Sequence, residues 1–251
     1  MGKINFRMEP KVHRYVGYRK SKGYDLVSNT SRCNIRGNMY FEDYRGFIQE
    51  KEFEFPSSEH FWWAHFLHTK EDIERFAIGG DLSTTESAMN ILGEMDIEET
   101  YDVGVIAKII SKKNKAGKRV IADNLGLKMG DTHFKAYGMD KKVTIENIWK
   151  KILYNKFYQN PSHRRELLTT GNDILVEHSD SIDPNKDFWG GIVKGGMAVD
   201  ELRITGGKLV GGNFMGKCLM ETRRNLDLFA RKPFVKMNPK MCNILIKRVD
   251  V

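Results

Sequence analysis

The feature that most constrains the fold is a short aromatic stretch near the end of the first quarter of the chain. Within residues 61–67 only His65 is not apolar, so a helix built from them is apolar around nearly its whole circumference. The preceding Pro56-Ser57-Ser58-Glu59 is typical of a helix start, with an acidic residue near the positive end of the helix dipole. The sequence therefore predicts a helix at the centre of the fold.

Mixed helix and strand patterns surround this segment. Alternating or continuous apolar residues predict strands at Val12–Tyr18, Lys51–Phe55, Ile174–Val176 and Glu201–Ile204, with paired glycines at 206–207 and 211–212 around a strand-like turn. Helical spacing and capping residues predict helices at Ser83–Gly93, at Thr144–Phe157 before Pro161, at Ser162–Thr170 before Gly171, and after a capping Asn213. We expect an α+β fold that is mostly helical, with short strands.

The composition fits a single domain over residues 1–251. With 40% hydrophobic residues the chain can bury a sizeable core, and no linker-like segment divides it. No apolar run approaches the roughly eighteen residues that cross a bilayer, and the N-terminus lacks a secretion signal, so a cytoplasmic location without membrane contact is expected. Three cysteines without paired spacing predict neither a disulfide framework nor a thiolate zinc site.

The formal net charge of +8 favours anionic partners such as nucleic acids or phosphorylated nucleotides. This charge is dispersed over short basic clusters at 112–113, 118–119, 164–165 and 223–224. A solvated surface is the ordinary explanation for such clusters. The charge alone therefore leaves nucleic-acid binding open.

Two segments carry candidate catalytic carboxylates. Glu59 begins the aromatic helix, in surroundings that favour desolvation, although an acid that only complements the helix dipole fits its position equally well. The loop after the strand 174–176 carries Asp183, Asp187 and Trp189-Gly190. A tryptophan beside glycine on a loop can stack against a flat base, or it can close the end of the core.

Four ordered blocks resemble one protein family. They are SSEHFWWAHFL at 57–67, NKFYQNPSHRRELLTTGNDILVEHSD at 155–180, FWG at 188–190 and GGNFMGKCLMETRRNL at 211–226, and they are similar to the NADAR (YbiA-like) family. The resemblance implies an α+β fold and N-glycosidase activity, directed at ribosylamino intermediates of riboflavin biosynthesis or at ADP-ribose on nucleic-acid bases. Such cleavage forms an oxocarbenium-like cation, which needs a carboxylate beside the anomeric carbon.

The same resemblance implies a set of site residues. Glu59 corresponds to the catalytic glutamate of the family. The family aspartate lies three residues before the loop tryptophan, where this chain has Lys186, so Asp187 and Asp183 are the candidates for its role. The implied substrate-binding residues are Ser28, Asn29, Trp62, Trp189, Gly190, Asn213, Gly216 and Arg223.

Two of these residues also fit phosphate binding on physical grounds. Asn213 stands at a predicted helix start, where free backbone N–H groups can hold a phosphate. Arg223 can add a bidentate contact if its side chain turns inward; the alternative is an exposed face shared with Glu221.

Besides Lys186, several positions depart from the family pattern. Trp63, His65 and Phe66 stand where the family usually has Gln, Gln and Lys, so a polar or cationic contact to the substrate is lost. The segment 79–138 also fits the family poorly. Because of these departures, the resemblance determines neither the substrate nor whether the protein turns it over.

The leading hypothesis is hydrolysis of the N-glycosidic bond of an ADP-ribosyl or phosphoribosyl adduct, with ADP-ribose on a nucleic-acid base favoured by the positive charge. The alternatives are a module that binds ADP-ribose or nucleic acid without turnover, and a plain nucleic-acid-binding protein. No cofactor is expected. No metal is expected either, because acid–base hydrolysis needs only carboxylates and water, and because His65 and His68 lack a nearby third ligand. The oligomeric state is left open.

Overall fold

The structure is a computed structural model that describes residues 11–16, 26–92, 103–130, 141–178 and 188–231. The helices in these ranges are α1 Ser58–Ala64, α2 Lys70–Phe76, α3 Thr85–Leu92, α4 Val103–Ser111, α5 Val120–Asn124, α6 Lys141–Gln159, α7 Pro161–Thr169 and α8 Phe214–Arg231. The strands are β1 Val12–Val16, β2 Ile35–Glu42, β3 Ile48–Phe55, β4 Ile174–Glu177, β5 Ile192–Lys194, β6 Met197–Ala198, β7 Arg203–Thr205 and β8 Lys208–Val210. The expected α+β fold, mostly helical with short strands, is confirmed.

The strands form three small sheets in the described residues. A four-stranded sheet has the order β4-β1-β7-β6, in which β1 pairs parallel with β4 and antiparallel with β7. The β2–β3 hairpin is antiparallel, with Ile35 opposite Phe55, and β5 pairs antiparallel with β8. The predicted strands at Lys51–Phe55 and Ile174–Val176 are confirmed as parts of β3 and β4.

The predicted central helix is α1. The Ser57 side chain caps it by accepting the backbone N–H of His60, and Phe61 stacks on Phe55 of β3 with ring centroids 4.8 Å apart. The helix also packs against α2, α4 and α6. Its aromatic surface is buried apart from Trp63 and the neighbouring Phe66, which are partly exposed, so α1 has one open edge.

Two helix starts differ from the sequence prediction. The hydroxyl of Thr84, and not that of Ser83, caps α3 by accepting the N–H of Ser87 at 3.1 Å. Asn213 does not cap α8 with its side chain. Its backbone has φ +47°, and its carboxamide accepts the N–H of Glu177 at 3.0 Å and donates to the carbonyl of Leu175 at 2.8 Å. The side chain therefore joins α8 to β4.

No helix in the described ranges has the length and hydropathy needed to cross a bilayer.

Candidate functional site

Glu59 is the buried carboxylate at the start of α1. The residue is only 4% exposed, and its backbone N–H donates to the carbonyl of Asn29 at 3.3 Å. Its Oε2 accepts the indole N–H of Trp63 at 3.1 Å, and its Oε1 lies 3.1 Å from Nζ of Lys108. The surroundings are therefore less apolar than the sequence indicated, because both carboxylate oxygens have a polar partner.

Lys108 on α4 is a site residue that the sequence analysis missed. The helix comes close to the start of α1 because Gly104 precedes Lys108 by one turn; a Cβ on Gly104 would lie 2.5 Å from Cα of Thr30 and 2.9 Å from Oγ of Ser57. The Gly104 N–H also donates to the carbonyl of Thr30 at 3.1 Å. The Lys108 side chain is 48% exposed, so it connects the buried carboxylate to the surface.

Three tryptophans form a tryptophan cluster, defined here as Trp62, Trp149 and Trp189. Trp62 stacks against Trp149 of α6 with ring centroids 5.1 Å apart and an interplanar angle of 27°. Trp189 meets both rings edge-on, at 6.1 and 6.4 Å, and remains 40% exposed. Since Glu59 and Trp62 are three residues apart on one helix, they share a face. Trp62 therefore links the residues that contact Trp189 to the helix that carries Glu59.

The start of α8 holds Trp189 in place. The carbonyls of Phe188, Trp189 and Gly190 accept the backbone N–H groups of Phe214, Met215 and Asn213 at 3.1, 3.2 and 2.8 Å, respectively. The expectation of free N–H groups that hold a phosphate at this helix start is therefore wrong for these three donors. They orient the loop that carries the tryptophan.

The remaining implied residues on α8 make packing contacts. Asn213 is fully buried against β4, and a Cβ on Gly216 would lie 2.2 Å from the carbonyl oxygen of Leu175 in the same strand. Arg223 is partly buried and donates to the hydroxyl of Thr170 at 2.6 Å and to the carbonyl of Asp173 at 2.9 Å. Its guanidinium thus fastens α8 to the α7–β4 junction, and no contact among the described residues joins it to Glu59.

Ser28 and Asn29 lie beside Glu59 but differ in role. The Ser28 hydroxyl bonds to that of Thr30 at 2.9 Å, and the Ser28 carbonyl accepts from the buried ammonium of Lys156. These bonds fix the shape of the loop. Asn29 is 4% exposed, and its Oδ1 is buried without a hydrogen-bond partner in the part of the chain that the structure describes.

Trp149 offers a second buried polar atom that the sequence analysis missed. Its residue is 3% exposed, and Nε1 lacks a hydrogen-bond partner within the described ranges. Buried polar atoms are seldom left unpaired in proteins unless a ligand or a water satisfies them. The Asn29 acceptor and the Trp149 donor are two such atoms, one in the loop that contacts the Glu59 backbone and one in the tryptophan cluster.

The two candidate aspartates, Asp183 and Asp187, lie outside the described residues, and their roles stay predictions. Over the described ranges, no group of three or more His, Cys, Asp or Glu side chains is arranged to hold a metal ion. His60 instead bonds to Ser57 and to the carbonyl of Leu82, and burial lowers its pKa to about 4. It is a core residue of α1.

The fold and the site define an α+β protein with a buried, ion-paired carboxylate beside a partly exposed tryptophan cluster. Residues 18–227 match the family model of the NADAR domain. Because the match covers most of the chain, the protein belongs to the NADAR family.

A solved structure is also similar to this chain. The NMR structure of the E. coli protein YbiA shares 19% sequence identity and superposes with a TM-score of 0.47, over 94% of this chain and 96% of that chain. No curated protein sequence matches the chain.

Proposed function

We propose that the protein is an N-glycosidase that hydrolyses the bond between a ribosyl C1′ and a base nitrogen in an ADP-ribosyl or phosphoribosyl adduct. The association of the NADAR family with such activity supports the reaction class. The observation that carries the proposal is the buried Glu59 carboxylate, which is 4% exposed and lies three residues before Trp62, the ring that the exposed Trp189 contacts at 6.1 Å.

The proposed reaction uses the negative charge of Glu59 and the flat ring of Trp189. The leaving base stacks on Trp189, which places the anomeric carbon toward Glu59. As the C1′–N bond breaks, its electron pair moves to the base nitrogen, and the Glu59 carboxylate stabilises the cation that develops on the sugar. Water then forms a bond to C1′, and its proton passes to the base nitrogen that received the electron pair; Asp183 or Asp187 is proposed to accept and deliver this proton as the second acid–base group.

The favoured substrate is ADP-ribose attached to a nucleic-acid base. The chain carries a formal charge of +8, and a free ribosylamino metabolite needs no extended positive surface. A second candidate function is ligand binding without turnover. The observation that favours it is that both oxygens of Glu59 already have partners, Lys108 and Trp63.

The replacement Glu59→Gln separates the two functions. It keeps the size of the side chain and removes its charge, so we expect base release to fall about 10²–10⁴-fold, which is the usual loss for a positioned acid–base group. Release is measured by product mass after incubation with ADP-ribosylated DNA, ADP-ribosylated protein, NAD and ribosylamino intermediates of riboflavin biosynthesis. ADP-ribose binding is expected to persist in the variant.

A matched control is Glu71→Gln, which removes an exposed acid from the first turn of α2. A first-turn acid that only complements the helix dipole contributes about 0.3–1 kcal/mol to stability and leaves turnover unchanged. Equal release by the parent and the Glu59 variant would show that Glu59 is such a residue. Binding by the parent without release from any of the substrates would identify a binding module.

A further inference from the structure

A segment with a high local positive charge lies beside the candidate site. Residues 103–130 contain seven Lys or Arg and one acidic residue, Asp123, which is a formal net charge of +6. In the structure, six of these seven basic residues lie on α4 or on the turn at residues 112–119 that joins α4 to α5.

This turn has a defined shape. The Asn114 side chain accepts the backbone N–H groups of Ala116 and Lys118 at 2.9 and 3.0 Å, and the Asn114 N–H donates to the carbonyl of Lys118 at 2.8 Å. Gly117 completes the turn with φ +77°, a conformation that suits glycine. The exposed lysines therefore stand on an ordered backbone. Their positive charges repel one another, and an anionic partner relieves this repulsion.

The basic turn is continuous with the carboxylate of Glu59. Lys108 pairs with Glu59, and the guanidinium of Arg119 lies 5.9 Å from the ring centroid of Trp63, the indole that donates to the same carboxylate. We call the resulting area the α4–α5 basic surface; it comprises Lys108, Lys112, Lys115, Lys118 and Arg119.

We infer that the α4–α5 basic surface binds the phosphodiester backbone of a nucleic-acid strand whose modified base enters the site at Glu59. Several exposed cations on one turn can contact several phosphates of a strand, whereas a small phosphorylated metabolite engages only one or two of them. Residues 112–118 contain no apolar side chain larger than alanine, so the turn lacks the groups that insert into a lipid surface.

The burial of Glu59 agrees with this choice. A base must leave the stack to reach a carboxylate that is 4% exposed, and a strand held at the adjacent surface can supply an extruded or single-stranded base. The inference rests on the proposed function in one respect, namely that the bound strand is the substrate. Strand binding itself does not depend on turnover.

The test removes three lysines of the surface that do not contact Glu59. The variant Lys112→Gln/Lys115→Gln/Lys118→Gln is compared with a control of equal charge loss on other exposed positions, Lys194→Gln/Lys208→Gln/Arg165→Gln. Binding of an unmodified, fluorescein-labelled single strand of roughly 20 nucleotides is followed by fluorescence anisotropy between about 50 and 200 mM salt. Duplex DNA of the same sequence and phosphatidylserine vesicles are the competing ligands.

We expect the surface variant to bind the strand at least about tenfold more weakly at the low salt concentration, and its log–log salt slope to be smaller by about 2, as for three lost phosphate contacts. The control variant is expected to keep most of the parent affinity and slope. Equal losses in the two variants, no strand binding by the parent, or tighter binding to the vesicles than to either nucleic acid would overturn the inference.

Failure of the inference and failure of the proposed function give different results. Base release from a small adduct without strand binding refutes the strand surface and leaves the glycosidase proposal standing. Strand binding that depends on the three lysines, without base release from any substrate, supports the surface and refutes the glycosidase.

Discussion

The cation that is paired with Glu59 comes from α4. Phe66 occupies the position of the family lysine, and in the structure Nζ of Lys108 lies 3.1 Å from the carboxylate. The two charges are brought together by the close approach of α4 at Gly104. Lys108 at one carboxylate oxygen and the Trp63 indole at the other hold Glu59 in one orientation.

Replacing Lys108 with Met should reduce both turnover and stability. Lys108 is 48% exposed but Glu59 is buried, so the variant leaves a buried carboxylate without its cation, and the loss of stability should exceed the roughly 0–1 kcal/mol of a fully exposed ion pair. We expect kcat to fall about 10- to 100-fold, because a displaced catalytic group costs that much, and KM to stay within a few-fold. Steady-state kinetics on a small adduct measures both quantities.

Two further variants define the role of Lys108 as a positioning residue. Lys108→Arg keeps the charge and should restore much of kcat, while Lys194→Met, which removes an exposed lysine at the end of β5 and outside the α4–α5 basic surface, should leave kcat on the small adduct unchanged. An unaltered kcat in Lys108→Met would mean that the ion pair has no part in the reaction.

The sequence was sufficient to single out Glu59 and Trp189 as candidates, because each lies in a block with a recognisable pattern; that they serve a common site stays a prediction. Lys108 and Trp149 lie in helices without such a pattern, and only tertiary packing brings them to the site. Arg223 is the opposite case, a residue that the sequence implied for the site and that the structure places in a packing contact. Its position in the block implied a substrate contact, but its guanidinium bonds to Thr170 and Asp173.

The contact between α8 and β4 fixes the loop that carries Trp189. Asn213 bonds to two backbone groups of β4, and Gly216 lets the helix lie directly on the carbonyl of Leu175. Substitution Gly216→Ala should destabilise the protein by about 1–3 kcal/mol, as expected for an overpacked contact. The higher helix propensity of alanine, about 1 kcal/mol, offsets only part of this cost because the opposing atom belongs to the backbone.

Urea unfolding measures this change. Lys217→Ala is the matched control, since Lys217 is the next residue of α8 and is exposed. A Gly216→Ala protein as stable as the parent would show that α8 shifts away from β4 without loss, and Trp189 should then report the shift through its emission.

Elements with strong local signals were the ones that the sequence predicted. Thr144–Phe157 and Ser162–Thr170 match α6 and α7. Pro161 separates the two helices, and Gly171, with a positive φ, follows the end of α7. The strand β2 was not identified by its own pattern, since Gly and Asn in its centre are weak strand formers and pairing with β3 stabilises it. The helices α2, α4 and α5 were also missed.

At the scale of the whole molecule, buried neutral histidines make stability depend on pH. Burial lowers the pKa of His60 to about 4, and burial together with nearby Lys156 lowers that of His163 to about 4. Because each folded-state pKa lies below the ordinary value of 6.5, the unfolded chain binds more protons in this range. Their contribution is fully present above about pH 6.5 and is lost as the pH falls toward 4.

The free energy of unfolding should therefore decrease between about pH 6.5 and pH 4, with about 3 kcal/mol attributable to the fully buried His60. Urea titrations across this range measure the decrease. His60→Gln should start from a lower stability and show a flatter pH profile, because its side chain does not titrate. A parent protein of constant stability over the range would contradict this account.

The arrangement of the indoles also determines the tryptophan fluorescence of the protein. The chain has four tryptophans, and Trp63 lies 6.3 Å from Trp62 in the tryptophan cluster, so all of them belong to one region around Glu59. At such separations excitation energy passes readily from ring to ring. A nucleobase that stacks on Trp189 will thus quench the emission of all four tryptophans. Ligand binding can therefore be followed by the intrinsic fluorescence of the unlabelled protein.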